Sequence, residues 1–296
     1  MVDQVTLVVV GDIAWDILIR PEDEFVWGTD VYGAVRLSPG GSAANVAVWA
    51  RRLGARVTLA GKIGDDALGV LMRANLDREG VSDGVQVVRG GATTRVAALV
   101  SPHGERAFVT DKESVLGFAP GDLDPALLDG ADLVFVSGYA VFSSASAAFL
   151  SPFLDEARRR GVRIAFDPSS FDLVASYGPT RLLREVGHVD FLMVNEAEAV
   201  TLHPDAPAAL LDTTGTVVVK RGANGASVTG RNLSRSAVAP RIEVVDTTGA
   251  GDAFDAAFLV EYVRSGDVDA ALAAGNRIGS FVARHLGAQP PMGEHP

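Results

Sequence analysis

Short apolar runs rich in β-branched residues recur along the chain with helical segments between them, and this alternation limits the possible folds more than any other feature. The runs are VTLVVV from Val5, RVTLA from Arg56, ADLVFVSG from Ala131, VRIAFD from Val162, DFLMVN from Asp190 and TVVVKRG from Thr216. Most are apolar without a break, and a strand that shows no alternation is one covered on both faces. Helical stretches over 42–53, 67–79, 145–160 and 250–264 lie between them. Strand alternating with helix builds parallel βαβ units with helices on both sides. The sequence therefore predicts a three-layer α/β/α fold with a mostly parallel central sheet.

Two regions, 17–37 and 86–110, break that rhythm. Apolar residues there interleave with polar ones and with turns such as Arg89-Gly90-Gly91 and His103-Gly104-Glu105. Half-exposed antiparallel strands have this pattern, so a small sheet is expected to project from the edge of the main one and act as a lid. No repeat, low-complexity tract or long linker divides the 296 residues, and 1–296 is read as one domain. The Pro-rich tail over 290–296 is expected to fray.

Composition narrows the partners. A formal net charge of -11 without any Lys/Arg-rich run argues against nucleic acid and anionic lipid. The absence of cysteine excludes disulfides, thiolate metal sites and cysteine nucleophiles, and fits a reducing compartment. The apolar run from Val5 to Val10 is too short for a signal peptide or a membrane span, so a soluble, cytoplasmic protein is expected. The histidines, His103, His188, His203, His285 and His295, show no metal-ligand spacing and are assigned no chemistry.

The strongest chemical motif is Asp246-Thr247-Thr248-Gly249-Ala250-Gly251-Asp252-Ala253-Phe254, after a strand-like stretch at 242–245 and before an apolar helix. Small residues let the backbone turn tightly into that helix, and the free N–H groups of its first turn converge where the helix dipole is positive. An anion fits there. Asp252, beside it, is placed to accept a proton from an attacking hydroxyl. The same residues also fit a plain turn with an acidic first-turn residue. A second motif, Gly40-Gly41-Ser42-Ala43-Ala44-Asn45, opens another helix. Its paired glycines admit a ligand close to the backbone, Asn45 offers donors and acceptors to a polyol, and Ser42 doubles as an ordinary cap.

Taken together and in this order, the two motifs resemble the signatures of the ribokinase-like (PfkB) carbohydrate and nucleoside kinases, and the resemblance spans nearly the whole chain. It implies a ribokinase-like fold, ATP and Mg2+ as cofactors, and a sugar, sugar acid or nucleoside as acceptor. It also implies that Asp252 is the catalytic base and that the amides of Gly249, Ala250 and Gly251 form an anion hole. Asp16, with Asp12 close by, matches an aspartate that holds substrate hydroxyls beside Gly40, Gly41 and Asn45. Asn195 and Glu198 match an Asn-x-x-Glu element that positions magnesium through water, a spacing that is also that of a capping box. Lys220, Gly222 and Gly225 match a strand-end loop at the nucleotide, with Asn276 near the adenine. Lys220 departs from the threonine common in ribokinases, and a strand-end lysine is usually solvated. Asp246 and the Thr248 carbonyl match positions that bind a monovalent cation, K+, in some relatives. Arg106, on the second lid segment, is left out of the site. Edge strands of the lid favour pairing into a homodimer, with a monomer as the alternative, since the family contains both kinds.

Other nucleotide folds fit poorly. There is no G-x-x-x-x-G-K-[ST] loop, and Gly11-Asp12-Ile13-Ala14 lacks the second glycine of a dinucleotide fingerprint. A sugar sensor without turnover is the alternative from another functional class.

Overall fold

The first strand, β1 (Thr6–Val10), buries side chains on both faces: Leu7 and Val9 enter one hydrophobic cluster and Val8 and Val10 a second. A computed structural model describes residues 4–24, 27–100, 106–111, 114–144 and 147–290. The other strands are β2 (Ala14–Pro21), β3 (Gly33–Gly40), β4 (Arg56–Ala60), β5 (Lys62–Gly64), β6 (Gln86–Val88), β7 (Thr94–Val100) and β8 (Arg106–Thr110). They continue as β9 (Leu133–Ser137), β10 (Arg163–Asp167), β11 (Val189–Asn195), β12 (Thr214–Lys220), β13 (Ala226–Gly230) and β14 (Leu233–Ala237). The helices are α1 (Ser42–Arg52), α2 (Ala67–Glu79), α3 (Gly138–Phe142), α4 (Ser151–Arg160), α5 (Phe171–Tyr177), α6 (Pro179–Val186), α7 (Glu196–Leu202), α8 (Ala250–Ser265) and α9 (Val268–Ala283).

The main sheet runs β14-β13-β12-β11-β10-β9-β1-β4. It is parallel from β12 to β4, with β13 and β14 closing one edge as an antiparallel hairpin. Helices α1, α2, α8 and α9 supply one covering layer, and α3, α4, α6 and α7 the other. This is the three-layer arrangement that the unbroken apolar runs predict, because each strand must hide alternate side chains under opposite helix layers.

The sheet order reverses at β1, which lies between β4 and β9. In such sheets the crevice beyond the strand ends at the reversal is where ligands bind. Asp12, just past β1, and Ser137, the last residue of β9, meet there at 2.9 Å.

The lid is a separate sheet of order β3-β2-β7-β8. It is mixed: β2 pairs antiparallel with β3 but parallel with β7, and β7 pairs antiparallel with β8. Three local expectations are corrected. Residues 86–88 form a two-stranded ribbon with β5 and do not join the lid. The helix expected over 145–160 is broken; among the described residues a short 3-10 turn (Ala147–Phe149) precedes α4, whose first turn accepts Pro152. Residues 242–245 are not a strand, because the Val245 and Asp246 amides both turn to the Ala283 carbonyl at the end of α9. The turn at 103–105, the Arg106 side chain and the tail from 291 lie outside the described residues.

Candidate active site

Helix α8 begins as its sequence requires. Gly249 has φ 71°, a left-handed conformation, and a Cβ built on it would lie 2.3 Å from Ala288 Cβ, so only glycine fits. Of the three expected anion-hole amides, that of Ala250 closes a turn on the Thr247 carbonyl at 3.2 Å. Those of Gly249 and Gly251, together with the amide of Asp252, meet no acceptor among the described residues. Unpaired N–H groups at the positive end of a sixteen-residue helix are chemically suited to an anion.

The two motifs meet at Asp252. Ser42 Oγ donates to Asp252 Oδ1 and Asn45 Nδ2 to Asp252 Oδ2, each at 2.8 Å, across 210 and 207 residues of chain. Burial pushes the Asp252 carboxyl up to about 7; the Asn45 and Ser42 hydrogen bonds and the Lys220 charge oppose the rise, and the Asp167 charge adds to it. A carboxylate has about four acceptor positions, so the two bonds orient it and still leave room for a proton. Asn45 is itself fixed from behind, since its Oδ1 accepts from Gln289 Nε2 at 2.9 Å.

The two candidate substrate carboxylates differ. Asp12 is committed to the protein, accepting from Ser42 N (2.8 Å), Ala43 N (3.3 Å) and Ser137 Oγ (2.9 Å). It caps α1 from outside, because the N-cap residue Gly41 has no side chain to do so. Asp16 accepts no hydrogen bond among the described residues and lies directly over Gly40, where a Cβ would fall 2.2 Å from its Oδ2. Burial, then the charges of Asp12, Asp252 and Asp246, raise it to about 7. Asp16 is therefore the one with acceptor capacity to spare.

On the opposite side, Asn195 and Glu198 do form a capping box at the start of α7, with bonds of 2.9 and 2.8 Å. Glu198 is buried, and burial followed by the Asp167 charge takes it to about 7. Gly225 (φ 82°) passes so close to β14 that a Cβ would meet the Ala237 carbonyl at 2.0 Å. Gly222 faces open space on the same turn. Asn276 is buried in α9 and donates to the Ala237 carbonyl at 3.0 Å, pinning the end of β14 beside that loop.

Lys220, matched to the nucleotide loop, is not solvated as strand-end lysines usually are. Its ammonium bonds Asp167 Oδ2 at 2.6 Å and Asp255 Oδ2 at 2.9 Å. Burial would lower its pKa, but the Asp167, Asp255 and Glu198 carboxylates outweigh that and hold it above its ordinary value.

The sequence reading missed Asp167, Asp255 and Gln289. Asp255 had a signal: an aspartate three residues after Asp252 on an otherwise apolar helix is buried only with a partner. Asp167 ends a parallel strand, a position that faces the crevice. Nothing local marks Gln289.

For the monovalent cation, the Asp246 carboxylate is already occupied by Thr248 N (2.9 Å), Thr248 Oγ1 (2.7 Å) and Gly287 N (2.9 Å). Three of its roughly four acceptor positions are taken in this way. Among the described residues no group of three or more His, Asp or Glu side chains could hold a metal directly. The donor set fits magnesium only in its usual nucleotide form, held by phosphates and water with a carboxylate near by.

The chain matches the model of the pfkB family carbohydrate kinases over residues 5–294. An ATP-dependent ribose-1-phosphate kinase of Halopiger xanaduensis is 32% identical over 292 residues, covering 94% of this chain and 92% of that protein. The ribokinase of Bacillus subtilis is 28% identical, covering 96% and 94%. Among solved structures, adenosine kinase from Sinorhizobium meliloti matches with a TM-score of 0.86 at 24% identity, covering 97% of this chain and 96% of its own. That last likeness speaks for the ribokinase-like fold alone. The family match and the 32% relative decide membership: this chain belongs to the pfkB family of carbohydrate kinases, ATP-dependent phosphotransferases with an alcohol group as acceptor.

Proposed function

We propose that this protein transfers the γ-phosphoryl group of ATP to a hydroxyl of a sugar or sugar acid, with Asp252 as the base. The observation that carries the reading is the pair of 2.8 Å hydrogen bonds from Ser42 and Asn45 to Asp252. They bring the glycine pair, the carboxylate and the free amides of α8 to one point, although the two motifs are 210 residues apart.

Phosphoryl transfer asks the protein mainly to position two reactants and to neutralise charge spread over the moving oxygens. Asp16 has acceptor capacity for the hydrogens of a polyol and sits over Gly40, so it orients the acceptor. Asp252, with its carboxyl near 7, takes the proton of the attacking hydroxyl at neutral pH. The Gly249 and Gly251 amides face the group being transferred. Magnesium, bound with the nucleotide, supplies neutralisation of phosphate charge; Glu198 and Asn195 are the residues to hold its water shell. Gly222, Gly225 and Asn276 shape the nucleotide side.

The test is an ATP-consumption assay over a panel of sugars, sugar acids, sugar phosphates and nucleosides, run on the wild type and on Asp252→Asn. We expect turnover with a sugar or sugar acid and a loss of about 10²- to 10⁴-fold in the variant, with the melting temperature not lowered. Adenosine as the preferred acceptor would select the nucleoside kinase alternative. No ATP consumption with any acceptor would select the sugar sensor, and a variant that keeps most of its turnover would remove Asp252 from its role.

A further inference from the structure

Lys220 ends β12, a position where an ammonium ordinarily reaches water, yet its side chain is only 14% exposed. Two carboxylates hold it. Asp167 Oδ2 lies at 2.6 Å and Asp255 Oδ2 at 2.9 Å, on β10 and α8 respectively. Asp167 is fixed in turn by the Ser169 amide at 2.6 Å. Asp255 is fully buried, and its second oxygen has no hydrogen-bond partner among the described residues. Buried ion groups of this kind are poor devices for stability, since apolar side chains of similar volume often serve as well or better. The arrangement therefore asks for another use.

Its location supplies one. A Cβ built on Gly251 would stand 3.6 Å from Lys220 Nζ, and the Gly251 amide is one of the free donors at the start of α8. A lysine has three N–H donors, and the two carboxylates occupy two of them. The third is left beside the amides that face the incoming anion. We propose that Lys220 is a phosphate-binding residue whose remaining N–H donates to an oxygen of the nucleotide's β- or γ-phosphate next to Gly251. Asp167 and Asp255 are the positioning groups that hold the ammonium at that spot. The inference rests on the kinase reading above, and adds a cation of the chain's own to the amides.

A purely structural lysine, tying β10, β12 and α8 together, would affect stability without discriminating among nucleotides. The experiment therefore compares the affinities of AMP, ADP and a non-hydrolysable ATP analogue for the wild type and Lys220→Met. The expected result is a loss of about 10- to 100-fold for ADP or the analogue with AMP unchanged, the effect of one hydrogen bond to a charged group. Equal losses for all three nucleotides, or none in a folded variant, would overturn the proposal. Because Lys220→Met leaves two buried carboxylates without a cation, the double variant Lys220→Met with Asp167→Asn is measured in parallel. Crystals of the wild type with the non-hydrolysable ATP analogue give a readout that needs no variant: Nζ within hydrogen-bond distance of a β- or γ-phosphate oxygen supports the assignment. An ammonium out of reach of every β- and γ-phosphate oxygen ends it. Wild-type protein that binds no ADP would end the kinase reading as well, a result distinct from ADP binding that ignores Lys220.

Discussion

Asp16, Glu198 and Asp252 are each pushed up to about 7, first by burial and then by the charges of other carboxylates. Clustered acids of this kind mark a site arranged for binding or proton transfer at the expense of stability. For Asp16 the consequence has a definite sign. Between about pH 4 and 7 its native form binds more protons than the unfolded chain, so the stability it contributes is present below that window and lost as pH rises through it. Asparagine has no proton to lose. Asp16→Asn is therefore expected to match the wild type in stability near pH 4, to exceed it increasingly up to pH 7, and to hold that lead above. Urea titrations at pH 4.5 and 8 measure this, alongside a raised KM for the acceptor; a stability difference independent of pH would contradict the burial account. Lys220 shows the same physics from the other side, since its charge is kept in the interior by carboxylates that the local sequence does not reveal.

Among elements, the segment 285–290 does more than its sequence announces. Gly287 N bonds the Asp246 carboxylate, and the Ala288 carbonyl accepts from Trp49 Nε1, both at 2.9 Å. Gln289 reaches Asn45, and the Pro290 carbonyl accepts from Arg52 at 2.9 Å. The segment thus fastens α1 to the turn that opens α8, the two elements whose side chains meet at Asp252. Gln289→Leu removes one bond behind Asn45 and is expected to lower kcat about 2- to 10-fold, with little change in melting temperature. Steady-state kinetics with the best acceptor from the panel test this; an unchanged kcat would show that Asn45 needs no support. Helix α2 was legible to the residue, because Asp66 caps its start at 2.7 Å and Gly80 ends it at φ 70°. The stretch 242–245 was not, because its β-branched residues lie half exposed along α9 with no strand among the described residues beside them to pair with.

At the scale of the whole molecule, the lid has two unlike faces. Along β2 and its neighbours, Asp16 and Leu18 share a face with Ser38 and Arg36, while Ile17 and Ile19 share the other with Leu37 and Val35. The second face continues through Ala97, Leu99 and Val109 as an apolar patch bounded at one end by the Arg95–Asp111 ion pair, with Val35 68% and Val109 61% exposed. Patches like this mark association surfaces, and a second copy of the chain is the occupant expected here. Sedimentation velocity should show a dimer, and Val35→Glu combined with Val109→Glu a monomer; a wild type that sediments as a monomer at every concentration would refute this. The layers of the fold and the start of α8 were readable from the chain alone, because unbroken apolar runs, glycines and helix entries act over a few neighbouring residues. Only the tertiary structure decided that Asp12 caps α1 while Asp16 stays free, that Gln289 stands behind Asn45, and that Lys220 is drawn inside. Burial and charge pairing depend on partners far away in the chain, and no local pattern encodes which of them will meet.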